Sequence, residues 1–292
     1  MALAPMPETV PHDAAAHRAA VEEVRAQREA RLREPTSWLS LVGLHWLRPG
    51  KLQFGADPTN DIVLRAEEGE IPPVAGTLEL TDGRVLIHPG KGVALTADGQ
   101  LVSDGTVLID DQADEPITLE LASLRLVVIR RGEGRAGLRV KDTAAPALRG
   151  FTGLPYFEID PKWRLIGRLQ RAEPGAAIAV PDVLGNIVGE PTPGVVEFTA
   201  GDKPCRLDAL EAMPGHLWLI FRDETCGHET YGGGRFLVSG AVAPDDTVEI
   251  DFNLAYNPPC VFSPYATCPL PPERNRLPLR IEAGEKIWGP GQ

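Results

Sequence analysis

Residues 77–88 read Thr77-Leu78-Glu79-Leu80-Thr81-Asp82-Gly83-Arg84-Val85-Leu86-Ile87-His88. Two β-prone runs flank Asp82-Gly83, a dipeptide that accepts the positive φ angles of a two-residue hairpin turn, whose twist matches that of paired strands. The stretch is therefore a β-hairpin, and the sequence on either side repeats the theme. Val93–Thr96, Leu101-Val102, Thr106–Ile109, Ile117–Leu121, Leu124–Ile129 and Leu138–Asp142 are short apolar runs separated by glycine turns. Strands at this spacing predict a sandwich or barrel rather than an α/β fold. The second half continues in kind, with strands expected at Trp163–Leu169, Val195–Thr199, Leu217–Phe221, Phe236–Val238, Val248–Leu254 and Leu277–Ile281.

Before the meander the pattern differs. Residues 1–11 read as a Pro/Ala tail, and Asp13 to Glu34 as a helix, with Asp13 as N-cap, Pro35 as stop and a thin apolar stripe of Ala16, Ala20 and Val24. Such a stripe suits packing on a domain surface. Trp38, Leu39, Leu41, Leu44, Trp46 and Leu47 form an apolar cluster whose tryptophans are expected to be core anchors. The expected architecture is mainly β: a tail and N-terminal helix (1–35), then two associated β lobes at 36–145 and 146–292.

The 292 residues include 30 glycines and 28 prolines spread along the chain, which favours frequent turns over long helices. A formal charge of −12 argues against nucleic acid as the partner, because a phosphate-binding surface needs clustered Lys and Arg. No run approaches the roughly 18 apolar residues of a membrane span, so no membrane partner is expected. The first dozen residues lack a basic start and an apolar core, so a cytoplasmic location is expected. In that compartment Cys205, Cys226, Cys260 and Cys268 are expected to be reduced, a Cys260–Cys268 bridge being the second choice.

From Phe221 to Lys286 polar, aromatic and proline residues alternate with little periodicity, as in segments that carry function. The phrases ETYGGGRF (229–236), DFNLAYNPPC (251–260), ATCPLPP (266–272) and AGEK (283–286) resemble the domain-of-unknown-function family 1684. The likeness runs back through GLRVKD (137–142) to the Trp38/Trp46 region. One departure stands at Pro272-Glu273-Arg274-Asn275-Arg276-Leu277, where the family pattern reads Pro-Pro-Glu-Asn-Arg-Leu. The resemblance implies no established activity.

The residues themselves nominate a site. On a strand Val248–Leu254, alternation puts Val248, Ile250, Phe252 and Leu254 on one face and Glu249, Asp251 and Asn253 on the other. Asp223, Glu229 and Asp251 are the candidate acid/base carboxylates. Arg235 and Arg276 are suited to pairing an anionic group through the planar guanidinium. Tyr231 and Tyr256 would wall the pocket, and Asn253, Asn257 and Asn275 would supply further ligand contacts. Gly232-Gly233-Gly234 would let a ligand approach the backbone, although a tight turn needs glycines equally. Two readings fit these residues: a pocket for a small polar or anionic molecule, or a hydrogen-bond network that locks a complicated loop.

Other chemistries find less support. No G-x-S-x-G motif marks a hydrolase nucleophile. Adjacent His228 and Glu229 cannot chelate alone, and Cys226, His228, Cys260 and Cys268 lack finger or ribbon spacing, so no metal or cofactor is expected. FGADPTNDIVL (54–64) resembles the opening of forkhead-associated phosphopeptide-binding domains. That family requires an Arg after the first Gly and a Ser-x-x-His segment; here Ala56 and Pro72-Pro73-Val74-Ala75-Gly76 stand in those places. A second function class, an interaction module using this lobe, therefore lacks its phosphate-reading side chains. Fluorescence anisotropy should show equal affinity for phosphothreonine peptides and their unphosphorylated forms. A preference abolished by changes in Gly55–Asp61 would reverse this.

Overall fold

The computed structural model describes residues 13–289, so the expected tail at 1–11 lies outside the described residues. Strands account for 42% of the fold and helix for 13%, which makes it mainly β with an N-terminal helix. The described residues form two compact units: residues 32–151, and residues 152–289 together with residues 13–31.

The unit at 32–151 contains β1 (Leu41–Trp46), β2 (Gly50–Gly55), β3 (Ile62–Val63), β4 (Gly76–Thr81), β5 (Arg84–Pro89), β6 (Thr96–Ala97), β7 (Gln100–Leu101), β8 (Thr106–Val107), β9 (Thr118–Leu121), β10 (Leu124–Arg131), β11 (Arg135–Asp142) and the short helix α2 (Pro146–Arg149). Its two larger sheets run β1-β11-β10-β9-β6-β7 and β3-β2-β4-β5-β8. Leu52, Leu78 and Ile87 of one sheet and Leu119, Leu126 and Leu138 of the other share one core, so this is a sandwich. The β4–β5 hairpin pairs Thr81 with Arg84 and Leu78 with Ile87. Asp82 and Gly83 both take positive φ, as the twist-matched two-residue turn requires.

The tryptophans correct an expectation. Leu39, Leu41 and Leu47 are buried, whereas Trp38 and Trp46 are half-buried and carry cations. Arg135 stacks over Trp46 at 4.3 Å, and Arg139 and Lys141 lie over Trp38 at 5.3 and 5.5 Å. On β11, residues 135, 139 and 141 share the face away from the core, which places the cations on the rings.

The other unit contains β12 (Arg164–Arg171), β13 (Ala177–Pro181), β14 (Ile187–Pro191), β15 (Gly194–Ala200), β16 (Lys203–Met213), β17 (His216–Phe221), β18 (Arg235–Ala241) and β19 (Thr247–Asp251). The sheet order β18-β17-β16-β15-β12-β19 brings the two end strands side by side, so the sheet is nearly a closed barrel. Inward residues of every strand, among them Leu169, Val196, Leu207, Leu219, Leu237 and Ile250, fill it. The strand Lys203–Met213 was not expected, although Cys205, Leu207 and Ala209 alternate with Arg206 and Asp208 along it and fill the core. The expected strand Leu277–Ile281 is not one: Pro278 has no N–H to donate. Its alternation survives nonetheless, with Leu277, Leu279, Ile281 and Ala283 all in the barrel core.

Helix α1 (Ala14–Leu32) starts as expected, with the Asp13 side chain accepting the Ala15 N–H at 3.2 Å. Ala16, Ala20 and Val24 of the expected stripe are half-buried, and beside them His17 and Val21 are buried and Arg25 and Arg28 half-buried, at helical spacing. Among the described residues no helix is long and apolar enough to cross a membrane.

The barrel assignment makes a paired prediction. Leu219 is 0% exposed and Ile166 on β12 is 65% exposed. By denaturant unfolding, Leu219→Ala should cost about 2–5 kcal/mol, and Ile166→Ala should stay within about 0.5 kcal/mol of wild type.

Candidate functional site

The family-like segment folds around a buried ion pair. Arg235, the first residue of β18, is 0% exposed, and its Nη2 lies 3.4 Å from Asp223 Oδ1. The same Nη2 donates to Ile281 O at 3.0 Å, and Nη1 donates to Ala283 O and, at 3.4 Å, to Glu285 O. Asp223 accepts the Ile281 N–H at 2.8 Å and the Thr225 hydroxyl at 2.8–2.9 Å. Burial pushes the Arg235 guanidinium below its usual range while Asp223 pulls it back. Both Nη groups of Arg235 and the Asp223 carboxylate hold fixed partners that tie the 281–285 segment to the barrel, while Arg235 Nε is buried without one.

The glycine run serves the same closure. Gly234 has φ +93°, and a Cβ there would meet the Phe221 carbonyl at 2.5 Å and a Pro271 side-chain carbon at 2.7 Å. What approaches the backbone at this position is the protein itself. Asn275 is equally committed: its Oδ1 accepts the Asp208 N–H at 2.7 Å, and its Nδ2 donates to Asp208 O and Ile220 O at 2.8 and 2.9 Å. It staples the 272–277 loop across two strands of the barrel.

A second cluster anchors helix α1. The Asp251 Oδ2 lies 2.6 Å from His17 Nε2, with the residues only 5% and 3% exposed. Its Oδ1 accepts the Asn253 N–H and side-chain amide at 3.0 and 2.8 Å, and Asn253 also exchanges hydrogen bonds with the Asp160 backbone. The expected alternation through Leu254 fails here. The strand ends at Asp251, and a 3-10 turn at Phe252–Leu254 carries Asp251, Phe252 and Asn253 all inward.

Further along the helix, Arg28 Nε donates to Glu285 Oε1 at 3.0 Å and its Nη2 to Asn257 O at 3.0 Å. The other Glu285 oxygen accepts the Asn257 N–H at 2.7 Å, and Asn257 Nδ2 donates to Lys286 O at 2.7 Å. Tyr256 lies beneath Arg28 at 5.2 Å, and burial pushes its phenol up to about 12. Arg25 stacks on Tyr156 at 4.3 Å and donates to the carbonyls of Phe157 and Asn253. Three polar atoms of this layer are buried without a protein partner: Arg25 Nε, Tyr156 Oη and Asn257 Oδ1. His17 Nδ1, two turns back along the helix, is a fourth.

The remaining candidates lie apart from these clusters. Glu229 pairs with Arg280 at the surface, and Arg276 is exposed, so it does not join Arg235. Tyr231 is half-buried beside Cys260 and Cys268, and burial raises its phenol. The carboxylates of Asp223, Glu229 and Asp251 belong to three separate sets of partners, and no acid/base constellation forms. Among the described residues no group of three or more His, Cys, Asp or Glu side chains could hold a metal.

The family described as Protein of unknown function (DUF1684) matches residues 149–286. A solved structure adds a relative: the solution NMR structure of an uncharacterized protein of Haloarcula marismortui is 31% identical over 48% of this chain and 80% of that one, with a TM-score of 0.40. The chain belongs to the DUF1684 family. A search of curated proteins returns no match. The DUF1684 segment contains the Asp223–Arg235 pair and Asn275 in full, but only one side of the polar layer. His17, Arg25 and Arg28 come from helix α1, outside it, and were missed because a mixed-charge helix reads as a solvated surface. Their spacing at i, i+8 and i+11 was the available signal. Tyr156 precedes the unusual stretch, and Glu285 lies within the AGEK phrase without having been singled out.

Because each partner of the buried pair strands the other when removed, Arg235→Ala and Asp223→Ala should each destabilise by about 3–5 kcal/mol in equilibrium unfolding. Stability within about 0.5 kcal/mol of wild type would show that the pair bears no structural role.

Proposed function

We propose that this DUF1684 protein binds a small, neutral hydrogen-bonding molecule in the polar layer under helix α1, and that neither Asp223 nor Asp251 performs acid/base chemistry. The observation that supports this reading is where the partnerless polar atoms fall. Asp223 and Asp251 are buried and held by fixed hydrogen-bond partners, and Glu229 pairs with Arg280 at the surface. Tyr156 Oη, Arg25 Nε and Asn257 Oδ1 are buried and lack protein partners, and leaving such groups unmet costs about 1–3 kcal/mol each.

The chemistry of these atoms selects the ligand. Arg25 Nε can only donate, Asn257 Oδ1 only accept, and the tyrosine hydroxyl can do either. A molecule bearing hydroxyl or carboxamide groups satisfies all three. An anion suits the layer less well, because Arg28 is already neutralised by Glu285, and Glu22, Asp251 and Glu285 surround Arg25. The reading takes a small molecule as the partner rather than nucleic acid or membrane, and places the chain in the cytoplasm, where thiols stay reduced.

Tyr156→Phe removes one polar atom while keeping the ring under Arg25. Thermal-shift screening against neutral polyols and amides, followed by calorimetry, should find a compound that stabilises the wild type and binds Tyr156→Phe at least about tenfold more weakly, a loss of about 1.4 kcal/mol. If no compound stabilises the wild type, and Tyr156→Phe is as stable as wild type or more so, the layer holds only buried water and the reading fails.

A further inference from the structure

The four cysteines are thiols in this fold, and two of them, from opposite ends of one loop, meet. The Cys260 backbone N–H donates to Cys268 Sγ at 3.2 Å, which holds the two side chains next to each other. The loop between them begins with a 3-10 turn at Pro259–Val261, and the Cys260 thiol also donates to Ala266 O at 3.6 Å. Prolines at 258, 259, 264 and 269 restrict the backbone on both sides. Cys260 is part-exposed and Cys268 is 4% exposed, so Cys260 is the more accessible residue of the two.

We infer that Cys260 and Cys268 form a redox-active dithiol that a hydroperoxide closes to an intramolecular disulfide. Cys260 is the attacking sulfur. The hydrogen bond from Cys268 holds its thiol below the ordinary value, against the opposing effect of burial, and the thiolate is the reactive form. In the first step the Cys260 thiolate attacks the outer peroxide oxygen; an S–O bond forms, the O–O bond breaks, and the alkoxide leaves, taking up a proton to become an alcohol. In the second, the Cys268 thiolate attacks the Cys260 sulfur. The S–S bond forms, the S–O bond breaks, and hydroxide leaves as water after protonation. Two thiols are oxidised and one peroxide is reduced, and a dithiol reductant reverses the change by exchange.

The other cysteines are placed differently. Burial raises the Cys205 thiol, which donates to the Lys203 carbonyl, and Cys226 lies against Asp223 and Thr230. The loop also has a structural outlet, because Cys268 O accepts the Val183 N–H at 3.0 Å and Leu270 N–H donates to Pro181 O at 2.7 Å. These bonds join it to the β13–β14 hairpin, whose Val183, Leu184, Ile187 and Val188 are exposed.

The test uses the full reduced chain and hydrogen peroxide, with thiols counted under denaturing conditions and the oxidised protein mapped by mass spectrometry. The expected result is loss of two of the four thiols. Cleavage after Phe262 or Tyr265, between the cysteines, should leave the two pieces joined until a reductant is added. In Cys268→Ser the Cys260 sulfenic acid should persist and be trapped by dimedone, and in Cys260→Ser no bridge should form. The inference is overturned if all four thiols survive, if the missing pair maps elsewhere, or if wild-type Cys260 proceeds to sulfinic acid while Cys268 stays reduced.

Discussion

The ion pair between Asp223 and Arg235 is the constraint on which the barrel unit depends. A guanidinium with no exposed surface survives in a protein only when its charge is paired and most of its donors are met. Here one carboxylate and the carbonyls of Ile281, Ala283 and Glu285 engage both Nη groups, and Nε alone is left without a partner. The cost of burying the charge is thereby converted into a fixed path for residues 281–285, a stretch that the prolines and glycines around it keep from joining a sheet. Gly234 lets Phe221 and Pro271 close over the same point.

That path sets the geometry of the polar layer. Glu285 gives its backbone oxygen to Arg235 and its side chain to Arg28 and Asn257, so it is shared by the ion-pair cluster and the helix anchor. The helix is held by charge and hydrogen bonds more than by apolar area, with Val21 its main buried aliphatic residue within the barrel unit. The family signature is thus explained first as structure. Under helix α1 three further polar atoms, on Arg25, Tyr156 and Asn257, are buried without a partner.

Much of the fold was legible in the sequence. The Asp82-Gly83 turn and alternating flanks specify the hairpin, and the inward alternation of β15, β17 and β19 follows from local pattern. Leu277–Ile281 shows the limit: the period of two placed its side chains correctly in the core, while Pro278 prevented the ladder that the period suggested. The candidate residues lie in the segment that folds around the buried ion pair, but their partners were not visible. Asp223 and Ile281 are 58 positions apart, and His17 and Asp251 are 234 apart. Convergence over such distances depends on barrel closure, which no local pattern records. The glycine run illustrates the same point, since only the fold reveals that Phe221 and Pro271 fill the space a ligand was expected to enter.

The central claim is that the segment after Asn275 is an integral part of the barrel and not a cover over a pocket. Native-state amide hydrogen exchange tests it most directly, at the amides of Arg222, Glu224, Leu277 and Ile281, which donate to Asn275 O, Leu279 O, Arg222 O and Asp223 respectively. The account predicts that these amides exchange only through global unfolding, at the same free energy as those of the core strands β16 and β17. Exchange of this group by local opening, well below that free energy while the strands stay protected, would contradict it.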